Sequence, residues 1–598
     1  MTKYEDSVTM QPAERLALVR RAMAAQGLDS FIVPRADEHL GEYVPPAAER
    51  LAWLTGFTGS AGMAVVLADR AAVFTDGRYT LQLAAQADAV LYEACHITEQ
   101  PPPAWLKEHA APGARIGYDP WLISRDGLKR FSEAGLEMVQ ADPNPVDLAW
   151  SGRPATPSAL AVPHPLAYAG RSSAEKRADV AAVLRADGQD VAVITDPASL
   201  AWLLNLRGGD VDYTPFALGF VLLRADGTAT LFMEPEKLPP ETLDWLGPDV
   251  TATGRVMLPG ALAQLSGQRV RVDAAGSPVW FAQALDAAGA TVLDGADPCQ
   301  LPKACKNPTE QAGARAAHLR DALAVCRFLH WLDGVDRAWL TEIAAAQQLL
   351  AFRQVAAEFL GESFPAISGA GEHGAVIHYR VTAETDRPIR ANEVYLIDSG
   401  AQYPDGTTDI TRTVWTGPGA PPDELRDRFT RVLKGHILLA TALFPQGVAG
   451  PHLDAFARRA LWQAGLDYDH GTGHGVGSYL SVHEGPASLS RAGRMVPLAP
   501  GMILSDEPGY YLPGAYGIRL ENLLMVRTAD RPAAKKPFLE FETLTLAPFD
   551  QRLIDPALLT AEERRWIDEY HARVLAEVGP ALDQPARDWL GAACAPLR

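Results

Sequence analysis

Two stretches of this chain place acidic residues inside apolar β-strand sequence on both sides of a turn, and any fold must accommodate them. The first runs Val394-Tyr395-Leu396-Ile397-Asp398-Ser399-Gly400, through Tyr403-Pro404-Asp405-Gly406, to Thr408-Asp409-Ile410-Thr411-Arg412-Thr413-Val414. Apolar and β-branched runs flanking Pro-Asp-Gly read as a hairpin. The midpoint between Asp398 and Asp409 falls at 403.5, inside that turn, so the pairing is expected to bring the two carboxylates together across the strands. In the second stretch, Met502 to Glu507 runs into Pro508-Gly509-Tyr510-Tyr511-Leu512-Pro513-Gly514, and Tyr516 to Asn522 returns, with the midpoint of Glu507 and Glu521 at Gly514. Like charges opposed across strands destabilise a sheet. Buried carboxylates need compensating charge, which divalent cations supply. One such acid alone reads as a solvated surface charge; two hairpins built alike read as a cation site.

Between the hairpins lies Asp469-His470-Gly471-Thr472-Gly473-His474-Gly475-Val476-Gly477, followed by Val482-His483-Glu484-Gly485-Pro486. Alternate glycines let backbones approach closely and leave the His474 imidazole without neighbouring side chains, so His474 is the expected nitrogen ligand. Two competing motifs fail. A dinucleotide fingerprint would need a third glycine where Val476 or Ser478 stands, and His483-Glu484 is followed by Pro486 and Ala487, which excludes the helical H-E-x-x-H of zincins.

The chain has 598 residues, too many for one core at about 150 residues per domain. Prolines crowd Pro143 to Pro165, which predicts a linker near 145–165, and Pro298, Pro302 and Pro308 precede a helical region from Thr309 to about Leu350, with room for a break. The first two segments look duplicated. Each opens with an amphipathic helix (Ala13 to Gly27, Ala174 to Gly188) and an apolar strand (Ser30 to Val33, Val191 to Ile194). A strand pair follows in each: Gly62 to Leu67 with Ala71 to Thr75, and Ala217 to Leu223 with Thr228 to Met233. Two α/β domains, 1–155 and 156–300, and an α+β domain over 301–598 with a C-terminal helical extension are therefore expected. That extension starts at a capping box, Thr560-Ala561-Glu562-Glu563.

A formal net charge of -19 argues against nucleic acid and anionic membrane surfaces as partners. No apolar run approaches a membrane span, and Met1 to Asp6 lacks the look of a secretory signal, so a cytoplasmic protein is expected. Five scattered cysteines without a C-x-x-C pair read as free thiols, mostly buried.

The ordered set Ile377-His378-Tyr379, Asp398 to Asp409, Gly471 to Gly477, Val482 to Pro486, Glu507 to Tyr511 and Gly517 to Asn522 resembles the pita-bread metallopeptidases, and among them the three-domain aminopeptidases P. Gly56 to Gly62 and Thr75 to Tyr79 extend the resemblance more weakly into the N-terminal segments, implying two creatinase-like α/β domains before a pita-bread α+β catalytic domain. One departure is that Arg380-Val381 follows the His-Tyr pair where relatives carry a small residue and proline, so Thr382 to Pro388 is expected to extend that loop.

The resemblance implies that Asp398, Asp409, His474, Glu507 and Glu521 hold two divalent metals, with Asp409 and Glu521 bridging, to generate a hydroxide that attacks the peptide. Manganese suits this oxygen-rich set, with cobalt, zinc or iron as alternatives. His378 and His483 match the histidines that hydrogen-bond the scissile region, and Arg519, His470 and Tyr511 match groups that orient ligands and compensate charge. His470 reads equally well as a structural histidine, and His373 as a loop histidine with no matched role. The implied reaction is release of the N-terminal residue from peptides with proline second, by a homodimer. Alternatives are a prolidase restricted to Xaa-Pro dipeptides, a methionine aminopeptidase, a metal-free creatinase-type hydrolase, and a noncatalytic pita-bread binding module.

Overall fold

The computed structural model describes residues 10–597, so Met1 to Asp6, read above for a signal, lies outside the described residues. The chain divides into two compact units, one reaching Pro165 and joined by Arg171–Gln300, the other formed by Leu166–Gly170 and everything from Leu301 onward.

The first unit contains two six-stranded sheets of the same topology. In one, β1 (Ser30–Pro34) lies between antiparallel β2 (Met63–Leu67) and parallel β5 (Arg115–Tyr118), extended by β3 (Ala71–Thr75), β4 (Glu93–His96) and β6 (Glu137–Gln140) in the order β4-β3-β2-β1-β5-β6. In the other, β7 (Val191–Ile194), β8 (Phe220–Arg224), β9 (Ala229–Phe232), β10 (Val250–Thr253), β11 (Arg269–Val272) and β12 (Thr291–Asp294) run β10-β9-β8-β7-β11-β12 with the same senses of pairing. The duplication read from the sequence is therefore a duplicated topology. Period-2 alternation explains the continuous apolar strands: Phe31, Val33, Val66 and Val73 join a core on one face, while Ile32, Val65, Ala72 and Phe74 join another on the opposite face.

The stretch predicted as a linker near 145–165 opens with a short helix, Pro145–Ala149: Pro145 occupies the first helical position, where its missing N–H costs nothing, and Asn144 Oδ1 caps Val146 N–H at 2.8 Å.

In the second unit, the long helical region is broken. It forms α1 (Pro308–Gly334), capped reciprocally by Asn307 and Glu310, and α2 (Glu342–Arg353), capped by Thr341. The strands that matter for the site are β13 (Ile367–Ala370), β14 (Val394–Ser399) and β15 (Ile410–Trp415) in one sheet, and β16 (Gly473–Gly475), β17 (Glu484–Leu489), β18 (Ile503–Asp506) and β21 (Asn522–Thr528) in a second. The strands β19 (Gly509–Leu512) and β20 (Tyr516–Arg519) pair with each other. The helices α3 (Asp423–Ala440), α4 (Asp454–Trp462) and α5 (Ala561–Val578) complete the elements used below, α5 starting at the expected Thr560–Glu563 capping box and burying Ile567 and Tyr570. The five cysteines are free thiols, Cys305 half-buried and the other four buried.

Arg412, which is 1% exposed, joins the two hairpins. Its guanidinium donates to the carbonyls of Thr411, Glu521, Ala547 and Pro548, to Asn522 Oδ1 and to Tyr570 Oη, at 2.6–3.1 Å, and it lies 4.5 Å over the Phe549 ring. Removing it would strand several buried acceptors together. Arg412→Met is expected to destabilise this unit by about 3 kcal/mol or more, read as a lowered midpoint in thermal unfolding. A midpoint within 1 °C of the parent would remove Arg412 from this role.

Candidate metal centre

Register decides where the acids sit. In the second hairpin Asp506 pairs with Asn522 and Gly509 with Arg519 in one continuous register, so Glu507 stands opposite Glu521, as the midpoint at Gly514 predicts. In the first hairpin the register is shifted from the expected one. Asp398 pairs with Thr411, and Tyr403 with Gly406, because Pro404 and Asp405 are the two central turn residues and Gly406 has already rejoined the ladder. Asp409 is therefore a diagonal neighbour of Asp398, two residues along, and so on the same face.

The hairpins meet at β15. Glu521 N–H donates to Thr411 O at 3.1 Å, and Thr411 Oγ1 donates to Glu521 Oε2 at 2.8 Å. His474 arrives on β16, where glycines are obligatory: a Cβ on Gly473 would lie 1.9 Å from Ser505 O, and one on Gly475 would lie 2.1 Å from Glu484 O. The imidazole Nδ1 lies 2.9 Å from Gly475 O, which it serves as donor, and this leaves Nε2 facing Glu507 Oε1 at 3.3 Å and Asp409 Oδ2 at 3.6 Å. Ligand atoms of Asp409, His474 and Glu521 all lie within 4.8 Å of one another. Asp398, Asp409 and Glu521 are buried, and Glu507 and His474 are half-buried.

Arg519 spans the group. Its Nη2 donates to Asp398 Oδ2 at 2.7 Å and its Nη1 to Tyr511 Oη at 2.9 Å. The tyrosine hydroxyl lies 2.9 Å from His470 Nε2, while His470 Nδ1 lies 2.7 Å from Gly471 O. A neutral imidazole that donates from Nδ1 and accepts from Tyr511 satisfies every group in this chain, and burial holds His470 at about 4. Of the two readings open for His470, the structure gives it a partner in the Arg519 network. His483 lies with its ring centroid 4.3 Å from that of His474, edge to face. His378 is half-buried on the segment after β13. Residues 382–388 continue that loop and fold back on α2, where Asp386 Oδ1 accepts Ile343 N–H at 3.0 Å and Thr341 bridges Pro388.

The electrostatics ask for cations. Burial pushes Asp398, Asp409 and Glu521 above the ordinary carboxylate range; neighbouring acids add to the shift, and Arg519 opposes it. Glu507 differs: burial would raise it as well, but His474 and Arg519 hold it at about 2. Asp398 Oδ1 and Glu521 Oε1 are buried oxygens without a hydrogen-bond donor. Orphaned oxygens beside an imidazole nitrogen are a donor set for divalent cations.

Sequence reasoning missed the supports. Asp454 accepts from Arg458 Nε at 2.7 Å and from Thr472 Oγ1 at 2.7 Å, while Arg458 Nη2 donates to His470 O at 2.6 Å, pinning the His470–His474 segment to α4. An Asp and an Arg four apart on a helix were visible, but not what they held. Behind His483, Glu484 meets Lys306 Nζ at 2.5 Å and Lys303 Nζ at 3.4 Å, all three buried. Lys303 and Lys306 gave no signal, since lysines beside a domain boundary read as solvated.

Comparison with known proteins places this geometry in a class. A model described as metallopeptidase family M24 matches residues 312–528, and a model of its C-terminal region matches 537–597. Models of the creatinase/prolidase N-terminal domain match 15–147 and 152–310. The chain belongs to metallopeptidase family M24, with two creatinase-type N-terminal domains ahead of the M24 domain. Among its relatives over full length is a probable Xaa-Pro aminopeptidase P of Talaromyces stipitatus, 39% identical, covering 99% of this chain and 93% of the relative. Aminopeptidase P1 of Lotus japonicus is 37% identical over 97% and 99%. The X-prolyl aminopeptidase of Caenorhabditis elegans, described as cytosolic with a di-nuclear active site, superposes with a TM-score of 0.93 at 33% identity, covering 98% of this chain and all of its own.

The raised carboxyls bind protons more tightly in the folded metal-free protein than in the unfolded chain. Their contribution to stability is therefore full below the unfolded value of about 4 and is lost as pH rises through their folded values. Metal-free protein is expected to lose stability as pH rises above about 4. Asp409→Asn should raise its thermal midpoint at neutral pH by roughly 2–4 °C, and should abolish most of the further rise that the parent shows on adding Mn2+. A lower midpoint in the metal-free variant would contradict this electrostatic picture.

Proposed function

We propose that the protein is a metal-dependent Xaa-Pro aminopeptidase that releases the N-terminal residue from peptides with proline second, using domains over 1–155, 156–300 and 301–598. The observation behind this is the convergence of four carboxylates and one imidazole with two orphaned buried oxygens, in a chain similar over its full length to Xaa-Pro aminopeptidases P. Asp398, Asp409, His474, Glu507 and Glu521 would hold two divalent cations. Two such ions supply the means to activate water at neutral pH and to polarise the scissile carbonyl.

The remaining steps belong to the chain's own side chains. His378 and His483 would hydrogen-bond the scissile peptide, and the closeness of His483 to His474 supports its place beside that bond. Proline leaves as a secondary amine and must gain a proton at nitrogen, a task suited to an imidazole near neutrality. Arg519 would fix Asp398 and, through Tyr511, His470, so that positive charge stays beside the acids. An Xaa-Pro bond has no N–H to grip, so a site shaped for the pyrrolidine ring discriminates where ordinary peptidases fail.

Manganese as the metal is supported by the oxygen-rich donor set. The cytosolic description of the Caenorhabditis elegans enzyme supports a cytoplasmic location, and among the described residues no helix is long and apolar enough to cross a membrane. The family resemblance supports a homodimer.

With manganese present, Xaa-Pro-Yaa tripeptides should be cleaved at the first bond; activity confined to Xaa-Pro dipeptides would favour a prolidase. Asp409→Asn and Glu521→Gln should each lower kcat/KM by about 10³-fold or more. His483→Ala should lower kcat by about 10²-fold with both metals retained by elemental analysis. Full activity in the two acid variants would remove the proposed centre.

A further inference from the structure

The segment that holds His378 is tied on both sides to one carboxylate outside the metal centre. Glu342, the first residue of α2, is 0% exposed. Its Oε1 accepts the Ala370 N–H at 2.7 Å and lies 3.0 Å from His373 Nδ1; its Oε2 is also 3.0 Å from that nitrogen and accepts the Tyr379 hydroxyl at 3.2 Å. The backbone of the same residue adds two ties: Glu342 O accepts Ser368 Oγ at 2.7 Å, and Glu342 N–H donates to Arg387 O at 3.1 Å. One residue thus fixes the chain on either side of His378.

The opposite side of the segment is equally confined. A Cβ on Gly517 would lie 1.7 Å from Gly374 O, so the segment packs backbone to backbone on β20, the strand that ends in Arg519. The His373 and Tyr379 rings lie 4.5 Å apart between these walls. Burying a carboxylate is expensive, and apolar packing would hold a loop at lower cost. What a buried acid with both oxygens engaged adds is placement fixed to a few tenths of an ångström. His373, a histidine without a role on sequence grounds, is one of its donors.

We propose that Glu342, with His373 and Tyr379 as donors, is the positioning anchor for His378. It sets where that imidazole meets the scissile peptide. The inference rests on the reading of His378 as a substrate-contacting residue. Glu342 and His373 are positioning residues that act through His378 and touch no substrate.

The test is a double-mutant cycle on full-length, manganese-loaded enzyme with an Xaa-Pro-Yaa tripeptide, reading kcat, KM, metal content and thermal midpoint. Glu342→Gln and His373→Ala should each lower kcat about 10–100-fold with two metals retained. His373→Asn, whose Nδ2 can donate where Nδ1 did, should restore kcat to within about twofold of the parent. In the His378→Ala background, Glu342→Gln and His373→Ala should cost almost nothing more. Losses that add in that background, or a His373→Asn enzyme as impaired as His373→Ala, would overturn the anchor while leaving the role of His378 intact. An unimpaired His378→Ala enzyme would overturn that role itself, and the anchor with it. Should Glu342→Gln not fold, the half-buried His373 pair decides alone.

Discussion

Four carboxylates gathered around one imidazole cannot all be ionised in a buried site without positive charge close by, and the second unit is organised around that requirement. Arg519 supplies part of the charge, on Asp398. It does not suffice, because Asp409 and Glu521 remain pushed toward their protonated forms by burial and by neighbouring acids. The deficit is what divalent cations remove, so metal binding and the stability of this unit are one free-energy problem.

The deficit can be maintained only because the scaffold does not relax. Arg412 holds the carbonyls of Thr411 and Glu521 from behind, which fixes the two hairpins against each other at the residues flanking the acids. Arg458 and Asp454 do the same for the segment bearing His470 and His474. Arg412 donates mainly to backbone carbonyls, and Arg458 divides its bonds between the Asp454 and Asp467 carboxylates and the carbonyls of Tyr468 and His470, so both set distances between elements rather than neutralise the acids of the site. An apolar core of equal volume would let the carboxylates move apart.

Much of this was legible in the sequence, and the reasons differ by element. Strand alternation and turn chemistry are local, so both hairpins, the duplicated sheet and the α5 capping box could be read directly. The offset of Asp398 from Asp409 could not, because it depends on whether Gly406 belongs to the turn or to the ladder, and both are compatible with Pro-Asp-Gly. The clamps were invisible for another reason. Glu342 meets His373 across 31 residues, and Lys306 meets Glu484 across 178, and no periodicity links such positions. Charged residues at those sites read as solvent-exposed until the fold buries them.

Three of the four acids also sit where the strands of the site are discontinuous. Asp409, Glu507 and Glu521 each fall where the ladder is interrupted, at 408–409, 507–508 and 520–521, whereas the pairs on either side keep register. Register alone already gives Glu507 and Glu521 one shared face, and Asp398 and Asp409 another. The interruptions release backbone groups at the acids from the ladder, while the restored register beyond keeps the hairpins from slipping. The exposed backbone groups are recovered by other elements: Glu507 N–H donates to Thr472 O at 2.8 Å, and Glu521 N–H to Thr411 O at 3.1 Å. The gaps at 507–508 and 520–521 are thus closed by hydrogen bonds to elements bearing other parts of the site, so the bonds that repair the sheet there also help assemble the candidate metal centre.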